Sequence, residues 1–105
     1  MSPAPGEVWL ADLGMTAKTR PVLIVSRRDP DPPRALIIYV PLTTQNRGSA
    51  YEVPKPRLSF LREQSTANVQ GLASLPVTRL ERKLDQVDDT LQNVKQALAF
   101  ALELQ

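Results

Sequence analysis

The sequence contains no cysteine and no histidine among its 105 residues. Without cysteine the chain can form neither disulfides nor thiolate metal sites, which fits a reducing compartment. Without histidine it lacks the side chain that most often serves as a catalytic base or a metal ligand. We therefore expect no metal or other cofactor, and any chemistry must come from arginine, from hydroxyl side chains or from carboxylates.

Long apolar runs are also missing. No stretch approaches the ~20 consecutive apolar residues of a membrane span, and the first five residues lack the basic and apolar regions of a signal peptide. These absences predict a cytoplasmic protein with no membrane partner. The length suits a single domain over residues 1–105, large enough for one modest core.

Positive charge is concentrated in the first part of the chain. The net charge is only +2, but residues 1–62 carry nine Lys or Arg against five Asp or Glu, whereas residues 63–105 carry four against six. A basic front half favours a polyanionic partner such as a nucleic acid.

Short apolar stretches punctuated by proline and glycine predict β-strands. The predicted strands cover residues 7–13, 21–26, 35–43, 51–53 and 65–72, and residues 75–84 are a short extended or turn segment. Three prolines make 27–34 a loop, 44–49 is a polar turn, and 57–64 is either a loop or a helical turn. Gly71 marks a bulge or a close backbone approach.

The end of the chain predicts an amphipathic helix. Asp88 can cap its start, and one face is apolar. That face comprises Leu91, Val94, Ala97, Leu98, Ala101 and Leu102. Phe100 points away from this face, so another surface is expected to cover it. Four or five strands followed by one helix suggest a small β-barrel closed by a helix, although the pattern alone does not exclude other α+β folds.

Four motifs occur in order along the chain: Gly6-Glu7-Val8-Trp9, Arg20-Pro21 at the start of an apolar run, Val40-Pro41-Leu42-Thr43, and Gln70. Together they resemble the MazF/PemK family of bacterial toxin ribonucleases over roughly residues 6–104. The resemblance implies an SH3-like antiparallel barrel with a C-terminal helix, the fold also shared by CcdB. It further implies a homodimer that cuts single-stranded RNA at specific sequences and is neutralised by a cognate antitoxin.

The same resemblance implies roles for individual residues. Arg20 matches the family's catalytic arginine, Thr43 its catalytic threonine, and Gln70 a glutamine beside the RNA groove. An arginine suits such chemistry because its planar fork binds phosphate oxygens bidentately and stays charged. Further candidates for RNA contacts are Lys18, Thr19, Thr44 and Arg47. The alternative for Arg20 is an ordinary surface arginine, and for Thr43 a hydroxyl that caps backbone groups at a strand end.

The expected reaction is metal-independent attack of a ribose 2′-OH, which leaves a 2′,3′-cyclic phosphate and a 5′-OH. Two other functions stay open. A non-catalytic RNA- or antitoxin-binding module is possible because Leu72-Ala73 stands where an Arg-Thr pair often follows the glutamine. A gyrase poison of the CcdB type depends on a Trp-Gly-Ile ending; this sequence ends Leu104-Gln105, which argues against that function.

Overall fold

Seven strands and one helix form the computed structural model, which describes residues 2–14, 19–55 and 64–104. The strands are β1 (Glu7–Asp12), β2 (Thr19–Ile24), β3 (Leu36–Thr43), β4 (Glu52–Lys55), β5 (Ser65–Asn68), β6 (Ala73–Pro76) and β7 (Leu80–Gln86). The helix α1 covers Asp88–Ala101, and 3₁₀ turns cover Val69–Gly71 and Val77–Arg79.

All described strand pairs are antiparallel, in the order β4-β5-β3-β2-β1-β7. Strand β3 has three partners: β2 lies along one edge, while the other edge pairs first with β6 and then, at Leu42 and Thr43, with β5. This branching curls the sheet into the predicted barrel-like shape with a C-terminal helix, although no pairing joins β4 to β7 in the described part of the chain.

The core consists of two apolar clusters on opposite faces of the sheet. Leu23 of β2 packs with Val94 and Ala97 of α1 in the larger cluster. Its neighbours Val22 and Ile24 point the other way into the smaller cluster. All three β2 residues are fully buried, because a strand covered on both faces requires a continuous apolar run.

Several predicted strand boundaries were wrong, and the strand predicted over 21–26 covers Thr19–Ile24 instead. The strand predicted over 65–72 ends at Asn68, whose side chain accepts a hydrogen bond from the Gln70 N–H and starts a 3₁₀ turn. The close approach predicted at Gly71 is confirmed, since a Cβ there would lie 2.5 Å from Cγ of Pro41. The strand predicted over 51–53 continues through Pro54, which is tolerated because β4 is an edge strand.

The segment 75–84 also differs from its prediction. It contributes to β6, a 3₁₀ turn and the seven-residue strand β7, so the sheet has more strands than the four or five expected. Strand β7 pairs with β1 through two register shifts. Its sequence is mostly charged, because this edge of the sheet faces solvent and pairing rather than burial holds it.

The helix was predicted well, but its cap was not. The helix N-cap is Val87, without a side-chain hydrogen bond, and Asp88 Oδ1 instead accepts from Nε2 of Gln86 at 2.7 Å. Leu91, Val94 and Ala97 are buried as expected, whereas Leu102 follows the helix and is exposed. Phe100 is 51% exposed. With 14 residues, the described helix is too short to cross a membrane.

Candidate functional site

Arg20 and Thr43 come together because β2 begins where β3 ends. The two strands pair Val22 with Pro41, and extending that antiparallel register by two residues sets Arg20 opposite Thr43 on the same face. On its other side Thr43 pairs with Thr66 of β5. Ladder register therefore joins two motifs that lie more than twenty residues apart in the sequence.

An open cavity of about 400 Å³ lies at this junction. Its lining residues are Arg20, Pro21, Leu42, Thr43, Thr44 and Ser65. The alternation of a strand was expected to send Thr43 and Thr44 to opposite faces. Both line this cavity nonetheless, because β3 ends at Thr43 and the chain bends at Thr44.

A second cavity of about 530 Å³ adjoins the first, because Thr43 lines both. Its lining residues are Pro41, Thr43, Gln45, Arg47, Ser49, Tyr51, Glu52, Asn68 and Gln70. We refer to the two cavities together as the Thr43 groove. The structure thus brings Arg20, Thr43, Thr44, Arg47 and Gln70 together along one groove.

The hydroxyl of Thr43 accepts a hydrogen bond from the Gln45 N–H at 3.2 Å. The capping role considered from the sequence is therefore present at this strand end. A threonine hydroxyl that accepts still has its own proton to donate. Thr43 can cap the turn and also bind an oxygen of a ligand in the groove.

The carboxylate of Glu52 organises the far wall of the groove. It accepts from the N–H of Arg47 at 3.0 Å, and from the N–H and hydroxyl of Ser49 at 3.1 and 2.7 Å. The Arg47 N–H and the two Ser49 donors lower the pKa of Glu52, because they favour the ionised form. Glu52 therefore acts as an ionised anchor of the turn that carries Arg47, and is poorly suited to be a general base.

Two arginines give the groove its positive charge. None of the ion pairs between described residues involves Arg20 or Arg47. Arg20 is exposed at the start of β2, and Arg47 is exposed in the turn before β4. Two exposed guanidinium groups along one groove suit a ligand with several negative charges, although the nearby Glu52 carboxylate partly offsets the charge of Arg47.

Not every candidate residue reaches the groove. Thr19 is exposed, pairs with Asp12 across the sheet and lines neither cavity. Lys18 lies outside the described residues. Of the other arginines, Arg28 approaches Glu7 Oε2 at 4.0 Å instead. Within the described ranges no group of three Asp or Glu side chains is arranged to hold a metal ion.

Among the groove residues that sequence reasoning missed are Tyr51, Glu52, Ser65 and Asn68. Asn68 had a local signal, since an asparagine two residues before Gln70 can accept from its N–H and fix a turn. For the other three the sequence holds no local signal, because their position depends on pairing between β3, β4 and β5.

The chain is similar to known toxins over nearly its whole length. Residues 4–102 match the model of the PemK-like, MazF-like toxins of type II toxin-antitoxin systems. Two proteins of Mycobacterium tuberculosis are similar in sequence: endoribonuclease MazF3 is 34% identical over 81% of this chain and 80% of its own. The probable endoribonuclease MazF5 is 31% identical over 97% of this chain and 91% of its own length.

A solved structure shares the fold. An endoribonuclease in complex with its cognate antitoxin, from a mycobacterial species, superposes with a TM-score of 0.83 at 30% identity, covering 98% of this chain and 97% of its own. The superposition therefore extends over nearly the whole of both chains.

Proposed function

The chain belongs to the PemK-like, MazF-like toxins of type II toxin-antitoxin systems, and from this premise we propose how its groove works. The protein is a toxin endoribonuclease. We propose that it cuts single-stranded RNA, including mRNA, at a short sequence and without a metal ion. The observation that carries this proposal is that Arg20, which forms no ion pair with another described residue, lies opposite Thr43 in an open groove.

Arg20 stabilises the transition state in this scheme. When a ribose 2′-OH attacks the adjacent phosphorus, negative charge builds up on the non-bridging oxygens of the phosphorane. The Arg20 guanidinium can bind two such oxygens at once. It stays charged at neutral pH and is a poor proton donor, so we assign it to charge stabilisation and not to proton transfer.

Thr43 positions the reacting groups. The O2′–P bond forms and the P–O5′ bond breaks, giving a 2′,3′-cyclic phosphate and a 5′-OH. One proton leaves the 2′-OH and one reaches O5′. We assign both proton transfers to water, because the described lining of the Arg20 cavity has hydroxyl and guanidinium donors but no carboxylate or imidazole.

The second cavity binds the bases and phosphates that flank the cut. Gln70 can donate to and accept from a base edge, and its turn is fixed by Asn68. Arg47 adds a phosphate contact from the turn anchored by Glu52. We also assign further contacts with the RNA to Thr19, Thr44 and Lys18. Unstacked bases of a single strand expose the edges that such side chains can read.

We further propose that the whole chain, residues 1–105, acts as one domain in the cytoplasm, where mRNA is present. One family model spans residues 4–102, and a cysteine-free sequence suits a reducing compartment. Its partners are a cognate antitoxin, like the one bound to the similar mycobacterial endoribonuclease, and a second copy of this chain.

Phe100 supports such a partner surface. Its half-exposed ring lies 5.5 Å from that of Tyr51, which lines the groove. An aromatic pair exposed beside the groove suits coverage by another chain. Light scattering at micromolar concentration is expected to show a dimer, and Phe100→Glu to weaken dimerisation or antitoxin binding. A wild-type monomer with full nuclease activity would contradict a groove shared between two copies.

The decisive experiment is cleavage of a long single-stranded RNA by the purified protein, with and without excess EDTA. We expect cuts at one short sequence, unchanged by EDTA, with 2′,3′-cyclic phosphate and 5′-OH ends. Activity lost in EDTA and restored by Mg²⁺ or Mn²⁺ would contradict the metal-free mechanism. RNA binding without any cuts would favour the non-catalytic module instead.

A further inference from the structure

Ser65 has an unusual environment. Its side chain is buried, with 1% of the residue exposed. Its Oγ is the one buried side-chain polar atom with no hydrogen-bond partner in the described ranges. Leaving a buried hydroxyl unpaired costs about 1–3 kcal/mol. Since buried polar groups are nearly always paired in folded proteins, this exception calls for an explanation.

The position of Ser65 supplies that explanation. It is the first residue of β5 and forms part of the wall of the Arg20 cavity. Its neighbour Thr66 pairs with Thr43 across the ladder, so continuing the register sets Ser65 opposite Thr44. Ser65 is therefore opposite Thr44 and next to the partner of Thr43, in the wall of the cavity where the scissile phosphate is expected to bind.

Other strand-end polar groups in the groove are engaged with the protein. Thr43 accepts from the Gln45 N–H, and Asn68 accepts from the Gln70 N–H. Both shape turns that build the groove walls. Ser65 builds no such turn, so its hydroxyl has both its donor and its acceptor capacity free for a ligand.

Building on the proposed function, we propose that the Ser65 hydroxyl donates a hydrogen bond to a non-bridging oxygen of the scissile phosphate. The side chain turns about χ1 between staggered rotamers to meet the bound RNA. Arg20 supplies charge at this phosphate, and Ser65 adds direction, because a single donor selects one of the two non-bridging oxygens. Ser65 forms no covalent bond in this scheme.

Ser65→Ala tests the proposal, with Ser74→Ala as its matched control. Ser74 is an exposed serine of β6 that pairs with Ile38 at the opposite end of β3. A hydrogen bond to a charged group is worth about 1.5–3 kcal/mol. We therefore expect Ser65→Ala to lower kcat about 10- to 100-fold and Ser74→Ala to cleave like wild type.

The melting temperature separates a functional hydroxyl from a structural one. Ser65→Ala removes a polar group that has no partner in the free protein, so its melting temperature is expected to equal or exceed that of wild type. Lower activity accompanied by a clearly lower melting temperature would overturn the proposal, because the hydroxyl would then stabilise the free fold. Unchanged activity would overturn it as well.

Phosphorothioate RNA gives a readout of the hydrogen bond itself. Sulfur accepts hydrogen bonds weakly, so wild type should cleave one stereoisomer at the scissile phosphate more slowly than the other. Ser65→Ala should lose that difference while retaining residual cleavage. An equal stereoisomer difference in both proteins would contradict the proposal. If wild type cleaves no RNA at all, the proposed nuclease function is wrong. If wild type cleaves RNA and only the Ser65 predictions fail, the proposed role of Ser65 alone is wrong.

Discussion

The carboxylate of Glu7 and the guanidinium of Arg20 lie on neighbouring strands, yet their surroundings differ. Glu7 accepts from the Ala4 N–H at 3.0 Å and the Trp9 indole N–H at 2.9 Å, and Lys83 Nζ lies 3.4 Å from its other oxygen. Its side chain is only 9% exposed. Arg20 is exposed and takes part in no ion pair between described residues.

We infer from this difference that Glu7 stabilises the fold, whereas Arg20 is available to bind a ligand. A buried carboxylate is tolerated only when its partners are in place, so Glu7 fixes the start of β1 against β7. An unpaired arginine at the mouth of a cavity contributes little to stability, and its charge remains available for a phosphate. Mutations in the two regions should therefore affect different properties.

The largest effect is expected for Arg20→Ala. Removing a donor that stabilises developing charge typically costs about 10²–10³ in rate, so cleavage of RNA should fall by that factor. The melting temperature should stay near that of wild type, because Arg20 is exposed and unpaired in the described structure. Single-turnover kinetics measure the cleavage rate, and thermal unfolding measures the melting temperature. A folded Arg20→Ala protein with full activity would refute the proposed site.

Glu7→Ala should show the reverse pattern. It leaves the Ala4 and Trp9 donors without their acceptor, which costs about 1–3 kcal/mol of unfolding free energy. Denaturant unfolding measures the loss, while RNA cleavage below the melting transition should be nearly unchanged. Glu7→Gln keeps an acceptor and should lose less. Equal stability of wild type and Glu7→Ala would show that this cluster does not hold the fold.

Thr43→Ala should lower cleavage about tenfold or more, since it removes a hydrogen bond to the reacting groups. Thr44→Ala serves as its neighbour control and should have a much smaller effect. Both line the Arg20 cavity, so the comparison asks which hydroxyl meets the phosphate. If Thr44→Ala proves the more damaging, the role belongs to the bend after β3 and not to the end of the strand.

The smallest effect concerns pH. Burial alone would raise the pKa of Glu7, but the Ala4 and Trp9 hydrogen bonds and the charge of Lys83 outweigh it, so the pKa lies below its ordinary value of 4.5. The ionised Glu7 carboxylate therefore stabilises the fold fully above about pH 4.5, and this stabilisation is lost as the pH falls through the folded-state pKa of Glu7. Below pH 4.5, wild type should lose stability more steeply than Glu7→Gln. If the stability of both proteins depends on pH in the same way, the pKa of Glu7 is not lowered.

The spacing of apolar residues predicted burial correctly in the regular elements, where buried side chains recur with the period of the strand or helix. The apolar run of β2 and the spacing of Leu91, Val94 and Ala97 predicted their buried faces, because side-chain direction along a regular element is fixed by geometry. Strand β7 and the end of β5 were predicted poorly. At β7 a charged edge strand is held by pairing with β1, and at Asn68 a side-chain hydrogen bond replaces the ladder.

For the proposed site, the sequence determined which side chains are available. The sequence has no histidine or cysteine, and its ordered motifs predicted Arg20, Thr43 and Gln70 as site residues. Tertiary structure decided the arrangement: the β2–β3 register sets Arg20 opposite Thr43, and the close approach of Gly71 to Pro41 fixes the turn that carries Gln70. The burial of Ser65 was likewise decided there. The sequence fixes the type of each residue, whereas its spatial neighbours depend on which distant strands pair. Strand pairing in turn is set by the packing of the whole core.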